Sequence, residues 1–213
     1  MKRFLEFGGV AAAIILIAFG AAAIVLGING KHTVGTSLKW EQITGTPDMT
    51  PAGIKAEAKS AGLDLSKITL PTCTVANKAV TTGARARCFA EYMRIHTLEA
   101  TGGVPYALMP RYATADGKGT SDATKALMSN GKPVDNAARN LWVTETALTT
   151  ALNTSYMADQ LGNFGIVVGI ALLLSGIGFL IVAVGGIRTE SWLAVWYTER
   201  RVKAGKHTPA VSA

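Results

Sequence analysis

Two unbroken apolar blocks dominate the pattern of the chain. Residues 7–28 form a run of 22, and residues 164–187 a run of 24, with no Asp, Glu, Lys, Arg or His in either. At a helical rise of ~1.5 Å per residue each covers a ~30 Å hydrocarbon core. Both blocks are therefore expected to be transmembrane helices. A cleaved signal peptide is the competing reading of the first, with Met1-Lys2-Arg3 as its n-region and Ala21-Ala22-Ala23 resembling a cleavage site. Against cleavage, the apolar run continues through Ile24-Val25-Leu26 and exceeds the about 7–15 residues of an h-region.

Between the blocks the pattern becomes helical in places and irregular in others. Residues 30–46 are polar and rich in Gly and Thr, which predicts an extended lead. Thr50-Pro51 predicts a helix start, with Thr as N-cap and Pro at N1; Ile54, Ala58 and Ala61 give it an apolar face and Gly62 a stop. Residues 68–80, with β-branched positions, Pro71 and Cys73, predict extended chain or a short irregular hairpin. Residues 84–100 predict a strong helix in which Cys88 or Phe89, Tyr92, Ile95 and Glu99 keep helical spacing before Gly102-Gly103. Residues 103–122 are loop-like, with Pro105, Pro110 and an Asp116-Gly117-Lys118-Gly119 turn. Ser121 is expected to cap a short helix through Met128, closed by Gly131 and Pro133. From Ala137 a helical pattern without proline, with Leu141, Leu148 and Leu152 on one face and Ala137 and Tyr156 nearby, runs into the second block. One helix over about 137–187 is the simplest reading.

The fold class that follows is a mostly α membrane protein: residues 1–6, a first span 7–28, a mainly helical extracytoplasmic domain 29–163, a second span 164–187 and a basic aromatic tail 188–213. Composition fits it. The 213 residues are 49% hydrophobic and only 16% charged, with mean hydropathy +0.28, against about 25% charged in ordinary soluble domains. A collagen, a disordered tail and a disulfide-dense scaffold are excluded.

Charge sets the expected orientation. Lys2 and Arg3 precede the first span; Arg188, Arg200, Arg201, Lys203 and Lys206 follow the second, so both termini are expected in the cytoplasm of a two-pass cell-membrane protein. Trp192, Trp196, Tyr197, Arg200 and Arg201 are expected at the membrane interface, where aromatic rings and basic groups suit an anionic inner leaflet. The net charge of +7 divides between these flanks and a central region of 14 basic and 11 acidic residues, which argues against nucleic acid as a partner.

The two cysteines, Cys73 and Cys88, both lie in the central region, where an oxidising compartment favours a disulfide between them. Two buried thiols and a metal site are the alternatives. The latter is disfavoured because His32, His96 and His207 are scattered in sequence. His96 and Glu99, with Glu91 and Arg94 near, read as a structural or solvated set on one helix. No P-loop, G-x-G-x-x-G, H-E-x-x-H or G-x-S-x-G pattern occurs, so no cofactor, metal or catalytic residue is expected. Neither span carries an ionisable residue, which speaks against a transporter or pump.

Small residues are what the spans do carry. Gly165, Gly169 and Gly176 fall within ~40° of one another on a helical projection, Gly178 and Gly185 on the other side, and Gly9, Ala13, Gly20 and Gly27 share one face of the first span. Such faces let helix backbones approach closely. One is expected to pair with the first span, leaving the other for a second copy or another membrane subunit.

Gly45-Thr46-Pro47-Asp48-Met49-Thr50-Pro51, Glu91-Tyr92-Met93-Arg94-Ile95-His96 and the stretch Trp142-Val143-Thr144-Glu145-Thr146-Ala147-Leu148 through Asn153-Thr154 resemble a group of small two-span membrane proteins of actinobacteria. Some of these carry the name aromatic ring-opening dioxygenase. The resemblance implies a bacterial cell membrane and supplies no activity: a non-haem iron site wants clustered His and carboxylate ligands, which the spacing of these segments does not supply. The expected function is a non-enzymatic scaffold or accessory subunit of a larger membrane assembly. The alternative is an extracytoplasmic module binding a small ligand or peptide.

Overall fold

The computed structural model describes the backbone of residues 2–204 and the side chains of residues 6–184 together with Trp196. Trp192, Tyr197, Arg200, Arg201 and Gly185, singled out above, lie outside the residues whose side chains or packing are described. Among the described residues, four α-helices follow one another: α1 (Lys2–Trp40), α2 (Pro51–Ser60), α3 (Gly83–Ala100) and α4 (Ala137–Ala204). A two-residue antiparallel ladder, β1 (Met128–Ser129) with β2 (Lys132–Pro133), and two 3-10 turns at Tyr106–Leu108 and Ala123–Lys125 lie between α3 and α4. The chain divides into two compact units, Met1–Ile28 with Asn163–Ala213, and Asn29–Gly162.

The first unit contains the two apolar stretches. Parts of α1 and α4, within Glu6–Trp40 and Ala137–Val184, are long and apolar enough to cross a membrane, with mean hydropathies of 2.7 and 2.8. Their large side chains point outward: Phe19, Leu26, Phe164, Leu174 and Ile181 are all more than half exposed. What the two stretches bury against each other is small. Ala13 is fully buried, and Gly20, Gly27, Gly169 and Gly176 are buried too.

The second unit has an ordinary hydrophobic core. Met49, Ile54 and Ala58 from around α2, Val75 and Val80 from the connecting segment, Tyr92, Ile95 and Leu98 from α3, and Trp142 and Leu152 from α4 are buried together. The Cys73–Cys88 disulfide staples the connecting segment to α3. Thr50 caps α2 by accepting from the Gly53 amide, and Pro51 occupies its first turn. After Ala61, Gly62 takes a left-handed φ of +75°, so the Leu63 amide reaches back to the Ala58 carbonyl. Thr82 caps α3 the same way, and Gly102 and Gly103, both left-handed, end it.

Several expectations are corrected. Residues 30–40 are helical, not extended. Val34 and Leu38, four apart, pack on the core, so burial outweighs the poor helix propensity of Gly30 and Gly35. The chain leaves α1 through Gln42, which adopts a φ of +53°. On α2, Ala61 is exposed and the buried face is Ile54 and Ala58 alone. On α4 the buried stripe is Trp142, Glu145 and Leu152, with Ala138 and Leu148 partly buried; Leu141 faces solvent. Trp142 takes the core position because its ring fills more volume there and its Nε1–H finds the Val104 carbonyl at 3.0 Å. No α-helix runs from Ser121 to Met128. Asp122, not Ser121, caps a single 3-10 turn at Ala123–Lys125. Asn130 and Gly131, with φ of 49° and 72°, then turn β1 into β2. Two successive left-handed residues match the twist of a hairpin, and Asn-Gly is the dipeptide best suited to them.

Candidate functional site

Three places in the described residues combine unusual geometry with chemistry. The first is the seam between α1 and α4. A Cβ placed on Gly20 would stand 2.7 Å from the Gly169 carbonyl oxygen and 2.9 Å from the Leu173 nitrogen. One placed on Gly169 would meet the Gly20 carbonyl oxygen and the Ile24 side chain, each at 2.7 Å. One level further along, a Cβ on Gly176 would stand 2.7 Å from the Ile17 side chain and 3.0 Å from the Ala13 carbonyl oxygen. At the flanks the fit loosens: Gly165 lies opposite Ala23 and Gly27, and Gly9 opposite Ala183. The two helices thus run antiparallel with backbone against backbone, a spacing only glycine permits at the central levels. Gly178, on the other side of α4, has open space around it. The glycines read from the sequence therefore separate into an intramolecular seam (Gly9, Gly20, Gly27, Gly165, Gly169, Gly176) and one open position.

The second place is a polar cluster on the disulfide-bridged unit. His96, on α3, has its Nε2 3.2 Å from Asp48 Oδ2 and 3.6 Å from Glu57 Oε2. Asp48 sits in the segment before α2, and Glu57 on α2 two turns after its cap. Burial raises the Asp48 pKa, but hydrogen bonds from Thr46 and its own backbone, together with the His96 charge, outweigh this and leave it below the usual carboxylate range. Glu99, one turn beyond His96, is shifted the other way: burial pushes it up, and the charges of Glu57 and Asp48 add to the push against an opposing pull from His96. Its Oε1 is sealed from solvent and has no hydrogen-bond partner. Sequence reasoning placed His96 and Glu99 together but missed Asp48 and Glu57. They lie 48 and 39 positions before His96, and no local spacing announces a contact made by packing α2 on α3. Glu91 and Arg94, read as neighbours of His96, turn elsewhere: Glu91 pairs with Arg87, and the Arg94 guanidinium lies over the Trp142 ring at 5.4 Å.

The third place is a cleft of about 740 Å³ between the 67–72 segment, α3 and residues 103–108. Ile68, Leu70, Ile95, Leu98 and Leu108 make it apolar, while Lys67, Glu91 and Arg94 stand in its wall. Its volume is in the range of small-molecule sites. Cys73, Cys88 and Tyr92 hold the segment that forms one wall: the disulfide closes it covalently, and the Tyr92 hydroxyl donates to the Cys73 carbonyl at 2.7 Å.

Comparison of the chain with family models, curated proteins and solved structures finds no match in any of the three. The functional reading therefore rests on these three places.

Proposed function

We propose that the chain is a two-pass bacterial cell-membrane protein. Both termini lie in the cytoplasm and the 29–163 region outside, and it serves as a non-enzymatic scaffold or accessory subunit of a membrane assembly. The observation that carries this reading is α4. One helix supplies Trp142, Glu145 and Leu152 to the core of the disulfide-bridged unit and, further along, Gly165, Gly169 and Gly176 to the seam. A helix shared in this way suits a protein that holds partners in register at the bilayer surface. The outward apolar side chains of both helices fit a lipid environment, and the positive-inside rule supplies the orientation. Because the Gly165–Gly169–Gly176 face is taken by α1, a second copy or another subunit is expected at the face that carries Gly178.

Topology is tested by labelling intact cells with an impermeant thiol reagent: Ser121→Cys should react and Ser212→Cys should not. The reverse pattern would overturn the orientation. Mild extraction from the native membrane should yield other membrane subunits in stoichiometric amount. A chain that runs alone under all mild conditions would remove the accessory-subunit reading.

The cleft supports a second reading, an extracytoplasmic module for a small, partly apolar ligand. Thermal stability of the full chain in nanodiscs, measured against a panel of extracytoplasmic metabolites and peptides, separates the two. A large saturable rise with one compound favours the module.

A further inference from the structure

We propose that Asp48, Glu57 and His96 form a binding site for one divalent transition-metal ion of the Zn²⁺ class. This proposal is independent of the scaffold reading. The three ligand atoms, one from the segment before α2, one from α2 and one from α3, all lie within 4.8 Å of one another. Around a common ion at ~2.1 Å, ligands set at 90–109° to each other stand ~3.0–3.4 Å apart. The His96–Asp48 separation, 3.2 Å, falls within that spacing, and the His96–Glu57 separation, 3.6 Å, lies just beyond it.

Hydrogen bonding alone serves this arrangement poorly. His96 Nε2 carries at most one hydrogen, yet it faces two carboxylates. Two carboxylates share one imidazole, and their summed charge exceeds what His96 can balance whichever way it is protonated. One turn along α3, the Glu99 Oε1 is sealed from solvent without a hydrogen-bond donor, and the charges of Asp48, Glu57 and His96 act on its carboxyl. A dication among the three groups balances the charge. It takes the Nε2 lone pair in place of its hydrogen.

The donor set selects the metal. An imidazole nitrogen with carboxylate oxygens suits Zn²⁺ or Mn²⁺, whereas Ca²⁺ and Mg²⁺ favour oxygen alone and Cu(I) favours sulfur. Sulfur is excluded because both cysteines are in the disulfide. The His96, Asp48 and Glu57 side chains are 27, 26 and 43% exposed, so the ion has a path from solvent. Bound there, it would tie the segment leaving α1 to α2 and α3.

The test uses the full chain in nanodiscs, stripped with a chelator and titrated with Zn²⁺ alone by calorimetry. One ion per chain is expected, with affinity reduced by at least about tenfold in His96→Gln and in Glu57→Gln, and unchanged in Glu41→Gln, an exposed carboxylate outside the cluster. Ca²⁺ at the same concentrations should give no saturable heat. No saturable Zn²⁺ uptake, uptake that both variants retain (an adventitious surface ion only), or equal binding of Ca²⁺ overturns the proposal. X-ray absorption of the Zn²⁺-loaded wild type needs no variant to fold: it should show one imidazole among oxygen ligands, and a shell with none or with two overturns it.

Discussion

The α1–α4 pair and the disulfide-bridged unit solve the burial problem in opposite ways. In the unit, large side chains meet in a common core: Trp142, Tyr92, Ile54 and Ile95 are at most 2% exposed. In the pair, the large side chains are turned out and the smallest are turned in, so that backbone meets backbone at Gly20 and Gly169. Water explains the first, because apolar area removed from it stabilises at about 25 cal/mol per Å². In the proposed membrane setting a lipid solvent would account for the second, because leucine gains nothing there by leaving the acyl chains and close packing becomes the remaining source of cohesion. The same chain therefore carries two packing rules, and mutations should obey the rule of the region they fall in.

The strongest test of the difference is Trp142→Ala. Truncating this side chain should cost ~3–5 kcal/mol, since it also removes the bond to the Val104 carbonyl and the ring under Arg94. Hydrogen exchange read by mass spectrometry should rise through α3 while residues 7–28 keep their protection. Equal loosening of both regions would show that the two do not hold themselves together separately. Replacing Cys73 and Cys88 together by Ser comes next, with ~3 kcal/mol lost from the unit in the chain-entropy argument for a loop of about 15 residues. Denaturant titration of the oxidised and reduced wild type should give the same difference.

In the helix pair the sign of the size effect reverses. Gly169→Ile adds volume where a Cβ already meets the Gly20 carbonyl, and should cost ~1–3 kcal/mol or more because backbone cannot yield. Gly178→Ile, into open space, should leave the pair intact. Thermal scans in nanodiscs that rank the two variants equally would rule out the seam. At the small end, Thr50→Ala removes the acceptor for the Gly53 amide and should cost ~1 kcal/mol. That loss belongs to the unit and should be the same in detergent and in lipid.

Features set by neighbours in sequence were legible from the residues alone. Thr50-Pro51, Gly62, Gly102-Gly103 and the two apolar blocks act within a few positions of themselves, and each stands where the pattern puts it. The Asn130-Gly131 turn was also local, but a helix-capping reading of Ser121 took precedence over the more specific dipeptide. What could not be read depends on distant partners. Residues 29–40 are helical because Val34 and Leu38 find a core built from segments 49–98. The α4 stripe falls on Trp142 and Glu145 rather than Leu141 because the surface it packs on, not its own periodicity, decides its rotation. The Asp48–Glu57–His96 cluster belongs to this second kind, since its members meet only when α2 lies on α3.

Tyr92 gives the disulfide a second life. Its hydroxyl, whose pKa burial raises further, stays a donor to the Cys73 carbonyl through alkaline conditions, and the ring is fully enclosed. Breaking the sulfur–sulfur bond leaves that tether in place. The two thiols then stay near each other, so once an external disulfide oxidant has formed a mixed disulfide with one of them, the other displaces the oxidant's thiol in an intramolecular step at high effective concentration rather than after a search by a free loop. Given an added disulfide oxidant such as oxidised glutathione, the bridge should re-form quickly once reductant is withdrawn, and Tyr92→Phe, which keeps the ring and removes only the tether, should slow its return.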